Sequence, residues 1–148
     1  MSAALKQPAC ELCELAVPVA WQGEKFSVIV VDDASYPGFC RVILRDHVRE
    51  MSDLSQEDRL LLNEAVYQLE LAVREVMQPL KVNVASLGNV VPHLHWHVIP
   101  RYADDAHFPA PVWAQAARQT DQAVLAERRA LLPALQDAIV RRFKQEEE

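Results

Sequence analysis

The stretch GNVVPHLHWHVIPR, residues 88–101, decides the fold of this chain. Histidine occupies every second position at its centre, at His93, His95 and His97, and the residues between them are apolar. In a β-strand alternate side chains share a face, so the three imidazoles line one surface while the apolar side chains can enter a core. We therefore predict a strand over 94–99 with a functional face. The alternative is a solvated strand that happens to carry histidines, but core packing gives no reason for three polar rings on one face.

Other short segments of the chain also read as strands. Residues 26–31 are rich in β-branched side chains, and 40–44 follow the turn-prone pair Pro37-Gly38, which together predict two strands, most simply a hairpin. Residues 81–87 alternate polar and apolar side chains and predict a further strand.

Two parts of the chain read as helical. Apolar residues recur at steps of three and four over 61–77, which predicts one long amphipathic helix. Serine and aspartate within 52–55 offer N-cap oxygens, and Pro79 ends the helix. The tail over 114–143 has a helical composition, and Pro133 is expected to kink or split it. Strands, a long helix, more strands and a helical tail predict an α+β fold with an antiparallel sheet.

Length and charge bound the class of protein. The 148 residues fit one domain, 1–148, with a core of about 10–113 and a C-terminal helical extension over 114–148. The net charge of -6 argues against a protein that coats a nucleic acid polymer, but not against one that binds a small nucleotide. No apolar run reaches the roughly 20 residues that cross a bilayer, and the first 16 residues lack the apolar stretch of a signal peptide. We expect a cytoplasmic protein that does not bind a membrane.

The histidine cluster is compatible with two chemistries. In one, the histidines hold a catalytic Zn²⁺ whose water attacks the substrate. In the other, one imidazole is itself the nucleophile, and its neighbours hold phosphate oxygens. The spacing of the histidines does not decide between them.

Residues 88–101 resemble the signature of the histidine-triad family, in which three histidines alternate with apolar residues before Pro-Arg. The order of features over 31–54 is also similar to that family, and the resemblance covers roughly residues 10–101. It implies a homodimer whose sheets continue across a two-fold axis. It also implies a hydrolase or transferase that acts at the α-phosphate of a nucleoside phosphate. The leading substrate classes are dinucleoside polyphosphates and nucleoside phosphoramidates.

The resemblance also implies roles for individual residues. His95 would attack the phosphorus to give a nucleotidyl-histidine intermediate, while a backbone carbonyl of the neighbouring strand holds its other ring N–H. His97 would contact the α-phosphate oxygens, and the turn over 88–90 would supply backbone amides. This mechanism requires no catalytic cofactor, although Mg²⁺ can accompany a polyphosphate substrate.

The candidate substrate-binding residues include departures from the family pattern. The family often has Gln and then Ser or Thr where this chain has Asn89 and Val90. Asn89 can still donate a hydrogen bond, but Val90 has no hydroxyl, which leaves the leaving-group preference open. For the ribose diol we favour Asp32 over Asp33, and a simple pair of turn residues is the alternative. Asn83 lies one residue from a ribose or phosphate contact of the family.

A metal site is predicted separately. Cys10 and Cys13 form a C-x-x-C pair, which alone is half of a tetrahedral Zn²⁺ site. The resemblance supplies His47 and His93 as the remaining ligands, which predicts a structural zinc. The main alternative is a pair of reduced cysteines. A thioredoxin-like redox pair is disfavoured, because no strand–CxxC–helix pattern surrounds the two cysteines.

Three residues after the histidines have two interpretations each. His107 either reaches the active site or is only solvated. Trp113 either stacks on a base or packs as an anchor. Arg101 either steers phosphates or is an ordinary surface arginine.

Two further functions stay open beside the covalent nucleotidyl hydrolase. One is a metal-dependent hydrolase in which all three triad histidines bind zinc. The other is a nucleotide-binding or scaffold dimer with little turnover.

Overall fold

The computed structural model describes residues 6–146. Within that range it contains five strands, three α-helices and one 3-10 turn over Met51–Asp53. The strands are β1 Trp21–Gln22, β2 Phe26–Val30, β3 Cys40–Leu44, β4 Lys81–Ala85 and β5 His95–Arg101. The helices are α1 Gln56–Met77, α2 Gln122–Arg129 and α3 Leu132–Glu146. The predicted fold class, an antiparallel sheet with one long helix and a C-terminal helical segment, is confirmed.

The five strands form one sheet in the order β1-β2-β3-β5-β4, and every pair is antiparallel. The histidine strand β5 therefore lies between β3 and β4. Its register places His97 opposite Arg41 and His95 opposite Ile43. Directly opposed residues of antiparallel strands share a face, so Arg41 lies on the histidine face.

The other face of the sheet is covered by helices. Alternation along β3 and β5 directs Val42 and Val98 to this side, where both are fully buried. Leu69 of α1 and Ile139 of α3 belong to the same hydrophobic cluster. The apolar alternation of the sequence therefore decides which side of the sheet becomes the core and leaves the histidines on the other.

Helix α1 begins and ends where the sequence predicts. Of the predicted capping residues, Ser55 is the N-cap, and its hydroxyl accepts a hydrogen bond from the amide of Asp58 at 3.1 Å. Gln78 at the C-cap has a left-handed conformation, with φ of 47°, and Pro79 follows. None of the helices within 6–146 is long and apolar enough to span a membrane.

The tail departs from the prediction of a helical segment that starts at residue 114. Residues 114–121 are not helical, and the helical part consists of α2 and α3 with a break at Ala130-Leu131. Pro133 lies in the first turn of α3, where its missing N–H has no intrahelical partner to lose. Apolar side chains of α3, including Leu135 and Phe143, belong to the main core, so this helix is part of the packed structure and not an appendage to it.

Strand ends differ from the predictions by one or two residues at β2, β4 and β5. Strand β1 was not predicted, because two residues are too few to show an alternation. Trp21 of β1 packs against Phe143, with ring centroids 5.2 Å apart.

Candidate functional site

His95 is held by its own chain. Its Nδ1–H donates a hydrogen bond to the backbone carbonyl of His93 at 2.6 Å, which leaves Nε2 with a free lone pair. The prediction of a carbonyl on the neighbouring strand is therefore wrong. The segment that enters β5 bends so that the acceptor lies two residues earlier in the chain. The ring is almost fully buried, and burial lowers the pKa of His95, an effect that the hydrogen bond to His93 opposes and the charge of Arg41 reinforces.

His97 is held in the opposite tautomer. The Nε–H of Arg41 donates to its Nδ1 at 3.3 Å. Since a guanidinium can only donate, Nδ1 must be unprotonated, and the single proton of the neutral ring is on Nε2. Burial, followed by the charges of Arg41 and His95, lowers the pKa of His97 to about 4. The ring is therefore neutral at pH 7 and presents an N–H, while His95 presents a lone pair.

Arg41 is a candidate functional residue that the sequence analysis missed. It is the one charged side chain in the apolar run of β3, and its side chain lies beside His97 and over the ring of Phe39, 5.6 Å from the ring centroid. Burial lowers the pKa of Arg41, although a guanidinium keeps its charge at neutral pH. An arginine inside an otherwise apolar strand was the signal for it, because such a charge needs a partner or a ligand.

A cleft of about 590 Å³ opens beside Arg41. Apolar side chains of the sheet and of the segment before β1 line it, among them Leu12, Ile29 and Val31. Asp32 lies at its wall and is exposed. Asp33 instead accepts a hydrogen bond from the amide of Ser35 at 2.9 Å, within its own turn. The two acidic residues thus have different surroundings, and only Asp32 of the pair lines the cleft.

The other candidate substrate-binding residues lie elsewhere. The side-chain oxygen of Asn83 accepts a hydrogen bond from Nη1 of Arg101 at 2.6 Å. Asn89 and Val90 lie in the exposed loop between β4 and β5, and Val90 is 92% exposed. Near the start of this loop, Gly88 has a φ of 74°, a left-handed conformation that favours glycine.

Cys10, Cys13, His47 and His93 come together in a second cluster. One possible ligand atom from each residue lies within 4.8 Å of those of the others. Nδ1 of His93 is 3.5 Å from each sulfur, and Nδ1 of His47 is 3.3 Å from that of Cys13. Zn–S bonds of about 2.3 Å and Zn–N bonds of about 2.0 Å at tetrahedral angles put ligands about 3.3–3.8 Å apart. These three distances match that spacing, so the four residues form a candidate site for one tetrahedral metal ion.

The ring of His93 is oriented for that cluster. Its Nε2–H donates to the backbone carbonyl of Leu44 in β3, which leaves Nδ1 directed to the cysteines. A hydrogen bond from the distal nitrogen to a carbonyl is how metal-binding histidines are commonly fixed in one tautomer. His93 is fully buried. It faces the cysteines and not the other two triad rings.

Arg101 is neither a surface residue nor free to steer phosphates. It is 2% exposed and pairs with Asp105, which is 1% exposed, through Nε–H···Oδ2 at 2.8 Å. The carboxylate also accepts from the amides of His107 and Phe108. Burial alone would raise the pKa of Asp105, but these hydrogen bonds hold it far below its usual range. The pair fixes the loop that follows β5.

His107 and Trp113 lie in or directly after this loop. His107 is not simply solvated, because its Nδ1 is 2.6 Å from the hydroxyl of Tyr36, which in turn donates to Asp105 at 3.2 Å. Trp113 is 51% exposed, and its ring centroid is 5.1 Å from that of His97. Of these two residues, it is Trp113 that contacts the triad.

Comparison with known proteins identifies the family of this chain. The family profile described as HIT domain matches residues 17–104, more than half of the chain. The chain therefore belongs to the HIT, or histidine-triad, family. Members of this family are generally nucleotide hydrolases or transferases, and some are not catalytic.

Solved structures agree with this assignment. A histidine triad protein from Bradyrhizobium japonicum is 29% identical, with a TM-score of 0.63 over 79% of this chain and 88% of its own. One from Marinobacter aquaeolei is also 29% identical, with a TM-score of 0.65 over 82% and 90%. A hypothetical histidine triad nucleotide-binding protein from Sulfolobus tokodaii, 16% identical with a TM-score of 0.59 over 88% and 89%, shows the fold alone. No curated protein matches the chain.

Proposed function

We propose that this protein is a nucleotidyl hydrolase or transferase that attacks a nucleoside α-phosphate with Nε2 of His95. One observation carries the proposal. The hydrogen bond from Nδ1–H of His95 to the carbonyl of His93 fixes the tautomer in which Nε2 is a nucleophile at pH 7. The substrate is a dinucleoside polyphosphate or a nucleoside phosphoramidate.

The reaction has two halves. The lone pair of Nε2 forms a bond to the α-phosphorus, and the bond from phosphorus to the leaving group breaks, with the electron pair going to the leaving group. Water or another acceptor then attacks the phosphorus, the N–P bond breaks, and His95 regains its lone pair. The proton of the attacking water passes to solvent, and the products are a nucleoside monophosphate and the released group.

His97 serves as a hydrogen-bond donor in this scheme. Its Nε2–H donates to a non-bridging phosphoryl oxygen, where negative charge must be held in place. Because Arg41 occupies Nδ1, loss of the Nε2 proton would leave an anionic imidazolate, so His97 does not supply a proton to the leaving group. A polyphosphate can leave as an anion, with Mg²⁺ bound to it, whereas an amine must take its proton from water.

The nucleoside fits the cleft beside Arg41. Its apolar walls suit a base, and the exposed carboxylate of Asp32 suits the ribose diol. The turn over 88–90, with Asn89 and Val90, is proposed to supply amides to the phosphates. Asn83 is proposed to contribute at the far end of the histidine face, where it already holds Arg101.

We propose zinc as the ion for Cys10, Cys13, His47 and His93. Two thiolates and two imidazoles are the ligands that tetrahedral Zn²⁺ takes in structural sites, and four protein ligands leave no open position for a substrate. The zinc would join the N-terminal segment to the segments that follow β3 and precede β5. Thiols free to bind zinc fit a reducing compartment, in keeping with a cytoplasmic protein.

We also propose a homodimer that forms through β4. Among the described strands, β4 pairs with β5 alone, so its other edge is open. Val84 on this strand and Leu80 beside it are exposed. Two β4 edges can pair about a two-fold axis to continue the sheet. Light scattering is expected to give twice the 16.7 kDa of one chain, and Val84→Lys to shift it toward the monomer.

The test of the covalent mechanism is the mass of the intact protein. Wild type and His95→Asn are each mixed with an adenosine phosphoramidate and with diadenosine tetraphosphate. The reactions are quenched, and the mass of each intact protein is measured by mass spectrometry. We expect one adenylyl group on wild type and none on the variant. No adduct and no product with either substrate would defeat the proposal and favour a binding protein with little turnover.

A metal-dependent hydrolase is the competing enzyme. It predicts product without any adduct, and loss of turnover in a chelator. The three rings of the triad have different partners here, namely the cysteines for His93, a carbonyl for His95 and Arg41 for His97, which does not favour one shared catalytic ion.

A further inference from the structure

Trp113 presents a large apolar surface to solvent beside the reacting groups. The residue is 51% exposed, and its ring is inclined by 67° to that of His97 at a centroid distance of 5.1 Å. A tryptophan that served only as a packing anchor would bury most of this ring. Its exposed surface is available to a ligand.

The backbone around Trp113 is held in place. Val112, the preceding residue, packs against the buried cluster of Tyr36, Phe39 and Ile99. Nη2 of Arg101 donates to the carbonyl of Ala110 at 2.7 Å. The indole is therefore carried by a fixed segment, and a ligand that binds it has little chain to order.

The position of Trp113 relates it to the leaving group. It is absent from the residues that line the cleft, whereas Arg41 lines the cleft and donates to His97. His97 thus contacts Arg41, at the cleft, and Trp113, outside it. If the nucleoside whose phosphate is attacked occupies the cleft, the rest of the substrate passes His97 and comes near Trp113.

We propose that Trp113 forms a second ring-binding site that stacks on the nucleobase of the leaving group. This inference rests on the proposed function and gives it a substrate preference, namely a phosphoanhydride with a base at each end. Bases of any kind stack on an indole, so the site selects for a planar ring and not for one base. Removing the indole is expected to lower kcat/KM for such a substrate by about 5- to 140-fold.

The experiment compares two substrates that differ only in the second nucleoside. Attack at the α-phosphate releases ATP from diadenosine tetraphosphate and inorganic triphosphate from adenosine 5′-tetraphosphate. The readout is the ratio of the two kcat/KM values in wild type, Trp113→Ala and Trp113→Phe. We expect the ratio to fall about tenfold in Trp113→Ala and to stay within about threefold in Trp113→Phe, which keeps a ring.

Tyr67→Ala is the matched control. Tyr67 is 53% exposed, close to the exposure of Trp113, but it lies on α1, on the opposite side of the sheet from the histidines. Its loss should leave the ratio unchanged. An unchanged ratio in Trp113→Ala would overturn the inference. If both kcat/KM values fell equally, the indole would only position His97.

A binding measurement separates this inference from the proposed function. ATP is titrated into wild type and into Trp113→Phe while tryptophan emission is recorded, with inorganic triphosphate as the probe that lacks a base. Quenching that requires both adenine and Trp113 supports the ring site even if neither substrate is turned over. Turnover of both substrates with no such quenching would overturn the ring site and leave the hydrolase in place.

Discussion

The cysteine–histidine cluster and the histidine face of the sheet both contain histidine side chains, but these are held in different ways. The cluster takes ligands from three separate parts of the chain, at Cys10 and Cys13, His47 and His93. The histidine face takes His95 and His97 from one strand and Arg41 from the neighbouring strand. His93, His95 and His97 repeat at a spacing of two residues, yet we propose a different role for each.

The difference lies in what the second ring nitrogen of each histidine meets. A carbonyl holds Nε2 of His93 and so directs Nδ1 to the cysteines. Another carbonyl holds Nδ1 of His95, which frees Nε2, and a guanidinium at Nδ1 of His97 puts the proton on Nε2. The backbone and one arginine therefore orient identical side chains for the three proposed roles of metal ligand, nucleophile and hydrogen-bond donor. His93 joins the two regions, because its ring faces the cluster and its carbonyl holds His95.

The largest effect should come from His95→Asn. Its kcat/KM for diadenosine tetraphosphate is expected to fall by about 10⁴-fold or more, because a covalent nucleophile is lost. The metal content of this variant, measured by inductively coupled plasma mass spectrometry, should equal that of wild type. Loss of the metal together with activity would mean that the two regions are one site.

Arg41→Gln should lower kcat/KM by about 10²-fold, since it removes both the charge and the group that fixes the tautomer of His97. Arg41→Lys keeps the charge but not the Nε donor and should recover only part of this loss. Steady-state kinetics of the three proteins test the prediction. Full recovery in the lysine variant would show that the charge alone matters.

Cys13→Ser should show the reverse of the pattern expected for His95→Asn, with a large loss of bound metal and a smaller loss of turnover. Metal content is expected to fall from about one ion per chain to near zero, and the unfolding temperature to fall by several degrees. The kcat should fall about tenfold, because the carbonyl of His93 that holds His95 is less firmly fixed. Full metal content in this variant would remove Cys13 from the ligand set.

The smallest effect concerns acid stability. The pKa of His97 is about 4 in the fold, against an ordinary value near 6.5, because the ring is buried beside Arg41 and His95. Between these pH values the unfolded chain binds more protons, so the free energy of unfolding falls as the pH falls from about 6.5 to 4 and is unaffected by this group above 6.5. Urea denaturation at several pH values gives the slope of the free energy of unfolding against pH. In His97→Asn this slope should be smaller between pH 4 and 6.5, by the equivalent of up to about one bound proton per chain. Equal slopes would contradict the prediction.

The elements were predictable where periodicity is long. The repeat over 61–77 located α1, and the alternation around His95 located β5 and its two faces. The two residues of β1 were too short to predict, and the start of α2 was misplaced because helical composition over 114–121 does not by itself make a helix.

The site was predictable in its residue types but less so in its contacts. The four possible metal ligands come together as expected from Cys10, Cys13 and the resemblance. The carbonyl beside His95 and the arginine beside His97 depend on how β5 is entered and paired, which no local pattern reports. The burial of Arg101 depends on Asp105, four residues later in a loop whose path the sequence does not reveal.

The tautomer of each triad ring can be measured directly in solution. Long-range ¹H–¹⁵N NMR spectra of histidine-labelled protein at pH 7, assigned with His95→Asn and His97→Asn, report which nitrogen carries the proton. We predict a proton on Nδ1 of His95 and on Nε2 of His97. A proton on Nε2 of His95, or on Nδ1 of His97, would contradict the division of roles on which the proposed chemistry depends.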